Sequence, residues 1–170
     1  MKTARGYSLW FMPEGALKKQ YADIIDRLAA QYTAPVFEPH VTLLGGIVDQ
    51  EDSIAETSET LFQTQSPFRV SFGKLASEER YYRALHVIID APQELIDLEK
   101  EIKTRFNMPL ELYVPHLSLL YGDFVRSETE EIAREINVPR DEWEVQSVHL
   151  WKTTGVPETW HRVREFKFKH

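Results

Sequence analysis

The sequence predicts an α+β protein, and three observations point there. The chain is 170 residues long, apolar runs of strand and helix spacing follow one another without a linker, and one ten-residue segment occurs twice. A chain of this length buries a real core and is short for two well-separated units, so one domain over residues 1–170 is expected. Apolar residues make up 42% and charged residues 28%, the balance of a folded soluble protein and not of a disordered one.

Tyr7 to Met12 is a short apolar run closed by Pro13 and Gly15, as in a buried strand. From Ala16 to Gln31 the residues Leu17, Tyr21, Ile24, Ile25 and Leu28 keep helical spacing and define one packing face. Phe37 to Gly46 reads as a second strand, Asp52 to Phe62 as a weaker amphipathic helix, and Phe68 to Phe72 and Arg83 to Ile89 as strands. Pro92 to Phe106 carries the best helix signal: a proline is harmless in a first turn, and Leu95, Ile96, Leu98, Ile102 and Phe106 supply an inward face. A strand from Tyr113 to Tyr121, a short helix near Glu128 to Ile136, and closing strands Val145 to Trp151 and Trp160 to Phe168 complete the pattern.

The net charge of −7 repels polyanions on average, so a long nucleic acid is not an expected partner. A small anion remains compatible, because a few basic side chains in a cleft suffice to hold it. The basic stretch Arg162 to His170 alternates like a solvated strand face. No cysteine is present, which removes thiolate catalysis, zinc ribbons and iron–sulfur sites. Residues Met1 to Arg5 lead directly into the first strand, so neither a secretory signal nor a membrane span is expected, and the default location is cytoplasmic.

The repeated segment is Phe37-Glu38-Pro39-His40-Val41-Thr42-Leu43-Leu44-Gly45-Gly46, which returns as Tyr113-Val114-Pro115-His116-Leu117-Ser118-Leu119-Leu120-Tyr121-Gly122. Five of the ten positions are identical and three more are conservative. A bare His-x-Thr/Ser is a weak motif; the shared context makes the pair specific. Strand side chains alternate, so His40 and Thr42 share a face, as do His116 and Ser118. Each proline lacks an N–H and suits the first position of a strand or an edge, which sets both histidines at strand starts.

Two imidazoles converging on one pocket can open a cyclic phosphate, one as base toward water and the other as acid toward the departing ribose oxygen. Thr42 and Ser118 have the reach to donate to the non-bridging oxygens. No metal or other cofactor is required by this scheme. The near-identical motifs leave open which imidazole is the base; the working assignment has His116 activating water and His40 protonating the leaving group.

The doubled motif resembles the 2H phosphoesterase superfamily, and in particular its cyclic phosphodiesterase branch of plants and fungi. That resemblance implies a bilobal fold of two similar antiparallel sheets with outer helices around a central cleft. It implies as substrates the nucleoside 2′,3′-cyclic phosphates and ADP-ribose 1″,2″-cyclic phosphate, with phosphate left on the 2′ oxygen. By the same resemblance Tyr121 contacts phosphate. Tyr121 is five residues beyond His116, so strict alternation turns it away, and this role requires the strand to bulge or end first. Gly45 stands at the matching position of the first motif, where it leaves room for ribose or base. Trp10, on the neighbouring strand, is the expected nucleobase contact.

Of the remaining histidines, His86 and His149 lie in strand-like runs and lack a hydroxyl two residues on, and His161 and His170 sit near the C-terminus; all four are expected to stand apart from the site. Metal-binding, nucleotide-loop and nucleophile-elbow motifs are absent. Two other classes stay open: an RNA-end enzyme acting on 2′,5′ linkages or cyclic ends, and a nucleotide-binding module without turnover. A monomer is expected.

Overall fold

The computed structural model describes residues 2–169. Its elements run β1 (Tyr7–Phe11), α1 (Gly15–Tyr32), β2 (Val41–Ile47), α2 (Glu51–Phe62), β3 (Phe68–Ser77), β4 (Leu85–Asp90), α3 (Gln93–Arg105), β5 (His116–Leu120), α4 (Arg126–Glu135), β6 (Trp143–Val145), β7 (Ser147–Lys152) and β8 (His161–Lys167). A 3-10 turn, Tyr81–Arg83, precedes β4.

The strands are ordered β6-β3-β4-β5-β2-β1-β7-β8, and every pairing is antiparallel. The order divides in the middle. β6-β3-β4-β5 forms one half, β8-β7-β1-β2 mirrors it, and the motif strands β5 and β2 meet at the centre. The expected pair of sheets is therefore present as two four-stranded halves of one curled sheet, joined through a single register pair, Val41 with Leu117.

Alternation sorts the motif residues. Val41, Leu43, Leu117 and Leu119 are 0–2% exposed and belong to the main core. The helices cover that face crosswise: α1, which follows β1, packs on β5, and α3, which follows β4, packs on β2. The opposite face of β2 and β5 is left to the site.

Several boundaries differ from the sequence expectation. Phe37 to His40 and Tyr113 to Pro115 lie outside the ladder, and β2 and β5 begin only at Val41 and His116. Pro39 and Pro115 have no N–H to donate, so regular pairing starts after them. β3 runs beyond the expected Phe72 to Ser77, with a register shift against β4 between Phe72 and Leu75. The run from Val145 to Trp151 is two strands. Trp143–Val145 pairs with β3 in one half, and Ser147–Lys152 pairs with β1 in the other. Only Gln146 separates them, so the sheet must curl until its β6 edge returns to β7.

Leu117 lies at the joint of the halves and is fully buried. Leu117→Ala is expected to lower unfolding free energy by about 2–5 kcal/mol in denaturant titrations, the range for a truncated buried leucine. A loss under about 0.5 kcal/mol, typical of a surface change, would contradict the role given to this contact.

Candidate active site

A cleft of about 350 Å³ opens on the face of β2 and β5 that the helices leave free. His40, Thr42 and Gly45 line it from the first motif, and His116, Ser118 and Tyr121 from the second. Trp10 also lines it. The sequence-selected residues thus come together in one place.

The arrival of Tyr121 and Gly45 has a common cause. Between Leu85 and His86 the partner strand β5 advances from Leu120 to Ser118, two residues for one, which is a bulge at Leu119–Leu120. Between Leu9 and Trp10, β2 advances from Leu44 to Thr42, the same bulge at the matching leucines. Each bulge sends two successive leucines into the core and returns the next residue to the cleft face. The strand assignment of β5 also ends at Leu120. The parity that would turn Tyr121 away is reset before it is reached.

Both imidazoles are held alike. His40 Nδ1 lies 2.6 Å from the Glu38 carbonyl oxygen and His116 Nδ1 lies 2.9 Å from that of Val114, in each case two residues back. A carbonyl only accepts, so Nδ1 carries the hydrogen, and in the neutral ring Nε2 is the free base. Burial, the dominant influence on each ring, lowers both pKa values to about 4. The carbonyl hydrogen bonds oppose that shift. Charge on His116 further disfavours charge on His40, so the two rings act on each other. Around His116, positive charge on Arg83 or on His86 pushes downward and Glu78 pushes upward.

The two motifs also brace each other. The Phe37 ring stacks on Tyr121 with centroids 3.7 Å apart and planes 12° from parallel. Tyr113, the equivalent aromatic of the second motif, donates its hydroxyl to the Thr42 carbonyl at 2.9 Å. The aromatic three residues before each histidine therefore packs against the opposite motif. Ser118 donates its hydroxyl to the Tyr82 carbonyl at 2.9 Å. Tyr121 is 3% exposed, and burial raises its pKa, so its phenol stays protonated as a donor.

Trp10 departs from its expected role. It is 2% exposed and stacks on His40 at 3.6 Å with planes 12° apart, and on Trp151 at 4.7 Å. Little of the ring is left for a nucleobase. Half-buried Tyr82 and Trp160, whose centroids are 6.0 Å apart, line the cleft instead with exposed ring surface. Arg5 and Arg83 line it as well and bring positive charge. Arg83 pairs with Glu78 through one guanidinium nitrogen, and its Nε is buried with no partner among the described residues.

Sequence reasoning missed Tyr82, Arg83 and Arg5, because nothing local ties them to the motifs. It also set His86 apart, yet that ring sits 5.1 Å from His116. His149 is buried on β7 and His161 is exposed on β8; His170 lies outside the described residues. Among the described residues no helix is long and apolar enough to cross a membrane, and no cluster of three or more His, Asp or Glu is placed to hold a metal ion.

Comparison with known proteins agrees with this geometry. Residues 13–157 match the family model described as the 2′-5′ RNA ligase superfamily. A cyclic phosphodiesterase of Arabidopsis thaliana is 22% identical over 123 residues, which span 72% of this chain and 68% of the relative. Escherichia coli LigT complexed with 3′-AMP superposes with a TM-score of 0.68 at 12% identity, covering 99% of this chain and all of LigT. The protein TT0787 of Thermus thermophilus gives 0.62 at 13% identity over 97% of this chain and all of its own. The family match over most of the chain, on a fold whose two halves each deliver a His-x-Thr/Ser strand to one cleft, means that this chain belongs to the 2′-5′ RNA ligase superfamily of two-histidine phosphoesterases.

Proposed function

We propose that this protein is a metal-independent cyclic phosphodiesterase that opens 2′,3′-cyclic phosphates of small nucleotides, ADP-ribose 1″,2″-cyclic phosphate included. The observation that carries this reading is the pair of Nδ1-anchored imidazoles lining one cleft, each with a hydroxyl residue two positions on. The likeness to a cyclic phosphodiesterase and to LigT complexed with 3′-AMP supports the small-nucleotide class. The net charge of −7 weighs against a polyanion as the preferred substrate.

In the reaction, water attacks phosphorus as His116 Nε2 accepts its proton, and the bond from phosphorus to the 3′ oxygen breaks as His40 Nε2–H protonates that oxygen. The product keeps phosphate on the 2′ oxygen. Charge on the non-bridging oxygens is met by Thr42, by the Tyr121 phenol, and by Ser118 once its hydroxyl rotates from the Tyr82 carbonyl. Tyr82 and Trp160 offer ring surface to the base.

His40→Ala and His116→Ala should each cut hydrolysis of adenosine 2′,3′-cyclic phosphate by at least about a hundredfold in the presence of EDTA. Near-normal rates in either variant end the mechanism.

Buried imidazoles with pKa values near 4 are both neutral at pH 7, so the acid must gain its proton with the ligand. An anion beside the ring raises its pKa, and binding then takes up protons and strengthens as pH falls toward about 4, below which the free ring is charged as well. Calorimetry with an uncleavable phosphonate analogue, in buffers of different ionisation heat, reads this uptake directly. Affinity that does not change with pH would contradict it.

Turnover of adenosine 2′,3′-cyclic phosphate should exceed that of an oligoribonucleotide with a cyclic end, and the product should be the 2′-monophosphate. The reverse preference would favour an RNA-end enzyme on the same fold, and a 3′-monophosphate would overturn the regiochemistry.

A further inference from the structure

The two motifs are close copies, yet the reaction needs its imidazoles in opposite protonation states. Something outside the motifs must distinguish them. Pseudo-symmetry tells where to look: Trp10 is the register partner of Thr42 on β1, and His86 is the register partner of Ser118 on β4. Trp10 and His86 are therefore equivalent positions in the two halves, filled by chemically different rings.

Their contacts differ as well. Trp10 lies almost parallel to His40, at 3.6 Å and 12°. His86 meets His116 edge-on, at 5.1 Å and 69°. The face of an indole is the strongest aromatic partner for a cation, and a parallel ring at that distance presents its face to the imidazole. An edge-on imidazole offers no such surface. Charged neighbours do not supply the distinction: beside His116 the Arg83 cation is opposed by Glu78, and charge on His116 itself disfavours charge on His40. Glu38, whose carbonyl anchors His40, has its carboxylate paired with Lys18 on α1 at 2.8 Å. Trp10 is itself held by Trp151 on β7, so the stack has little freedom to slide.

Building on the proposed function, we propose that Trp10 is a positioning residue that holds the His40 ring by stacking and favours its cationic form, so that His40 enters the reaction as the acid. Trp10 then acts through His40 and not through the nucleobase.

Tryptophan analogues carrying one, two or three ring fluorines, inserted at position 10 by nonsense suppression, weaken the attraction for a cation while keeping the shape. Across the series the alkaline limb of the kcat–pH profile should move stepwise to lower pH, by about tenfold in proton concentration overall. The His40 signal in NMR of ring-labelled histidine should move the same way with an inert phosphonate bound. KM should stay within about twofold, and glycerol 1,2-cyclic phosphate, which has no base, should show the same loss as the nucleotide. Trp10→Phe should fall within the series. A profile and NMR titration that ignore fluorination overturn the inference, as does a loss confined to KM for substrates bearing a base. Turnover that depends on His40 and His116 but not on the residue 10 series leaves the proposed function standing and removes only this one. An enzyme inert to every cyclic phosphate removes both.

Discussion

The pairing of β2 with β5 is the constraint on which the rest of the molecule depends. Val41 opposite Leu117 is a single register pair, yet it fixes how the two halves meet. Once those residues face the core beneath α1 and α3, alternation sends their neighbours His40, Thr42, His116 and Ser118 to the other side. Slipping either strand by one residue would bury imidazoles among leucines and expose leucines in the cleft. Core packing and site assembly are thus one and the same choice of register.

Symmetry built the cleft, and departures from symmetry give it a direction. The same bulge follows the same hydroxyl in both motifs, but it delivers Gly45 on one side and Tyr121 on the other. The aromatic leading each motif braces the opposite one, by stacking in the case of Phe37 and by a hydrogen bond in the case of Tyr113. A phosphodiester is not symmetric either: one of its ester oxygens leaves and the other stays. Unequal halves around near-equal histidines suit that task.

Much of this was legible in the chain. Four helices and seven of eight strands announce themselves by period, and the doubled motif names six of the cleft residues before any contact is known. The rest was not legible because it depends on partners distant in sequence. Trp10 looked like a free platform, since no local pattern says that His40 will lie on it. His86 has no hydroxyl companion, but it becomes a neighbour of His116 through the β4–β5 register. Tyr82 and Arg83 sit in a 3-10 turn whose only local signal is a pair of tyrosines. The run from Val145 to Trp151 reads as one strand, and periodicity carries no sign that the chain changes lobes at Gln146.

That change of lobes has a mechanical consequence. The halves are fastened at the front by β2 against β5 and at the back by a tether one residue long. A clasp latched on both sides does not swing. Widening the cleft would mean tearing main-chain pairing or pulling Gln146 taut, and even the half-buried rings at its mouth are tied, Tyr82 to the Lys2 carbonyl and Trp160 to that of Gly155. In such a frame the width of the aperture is set when the chain folds.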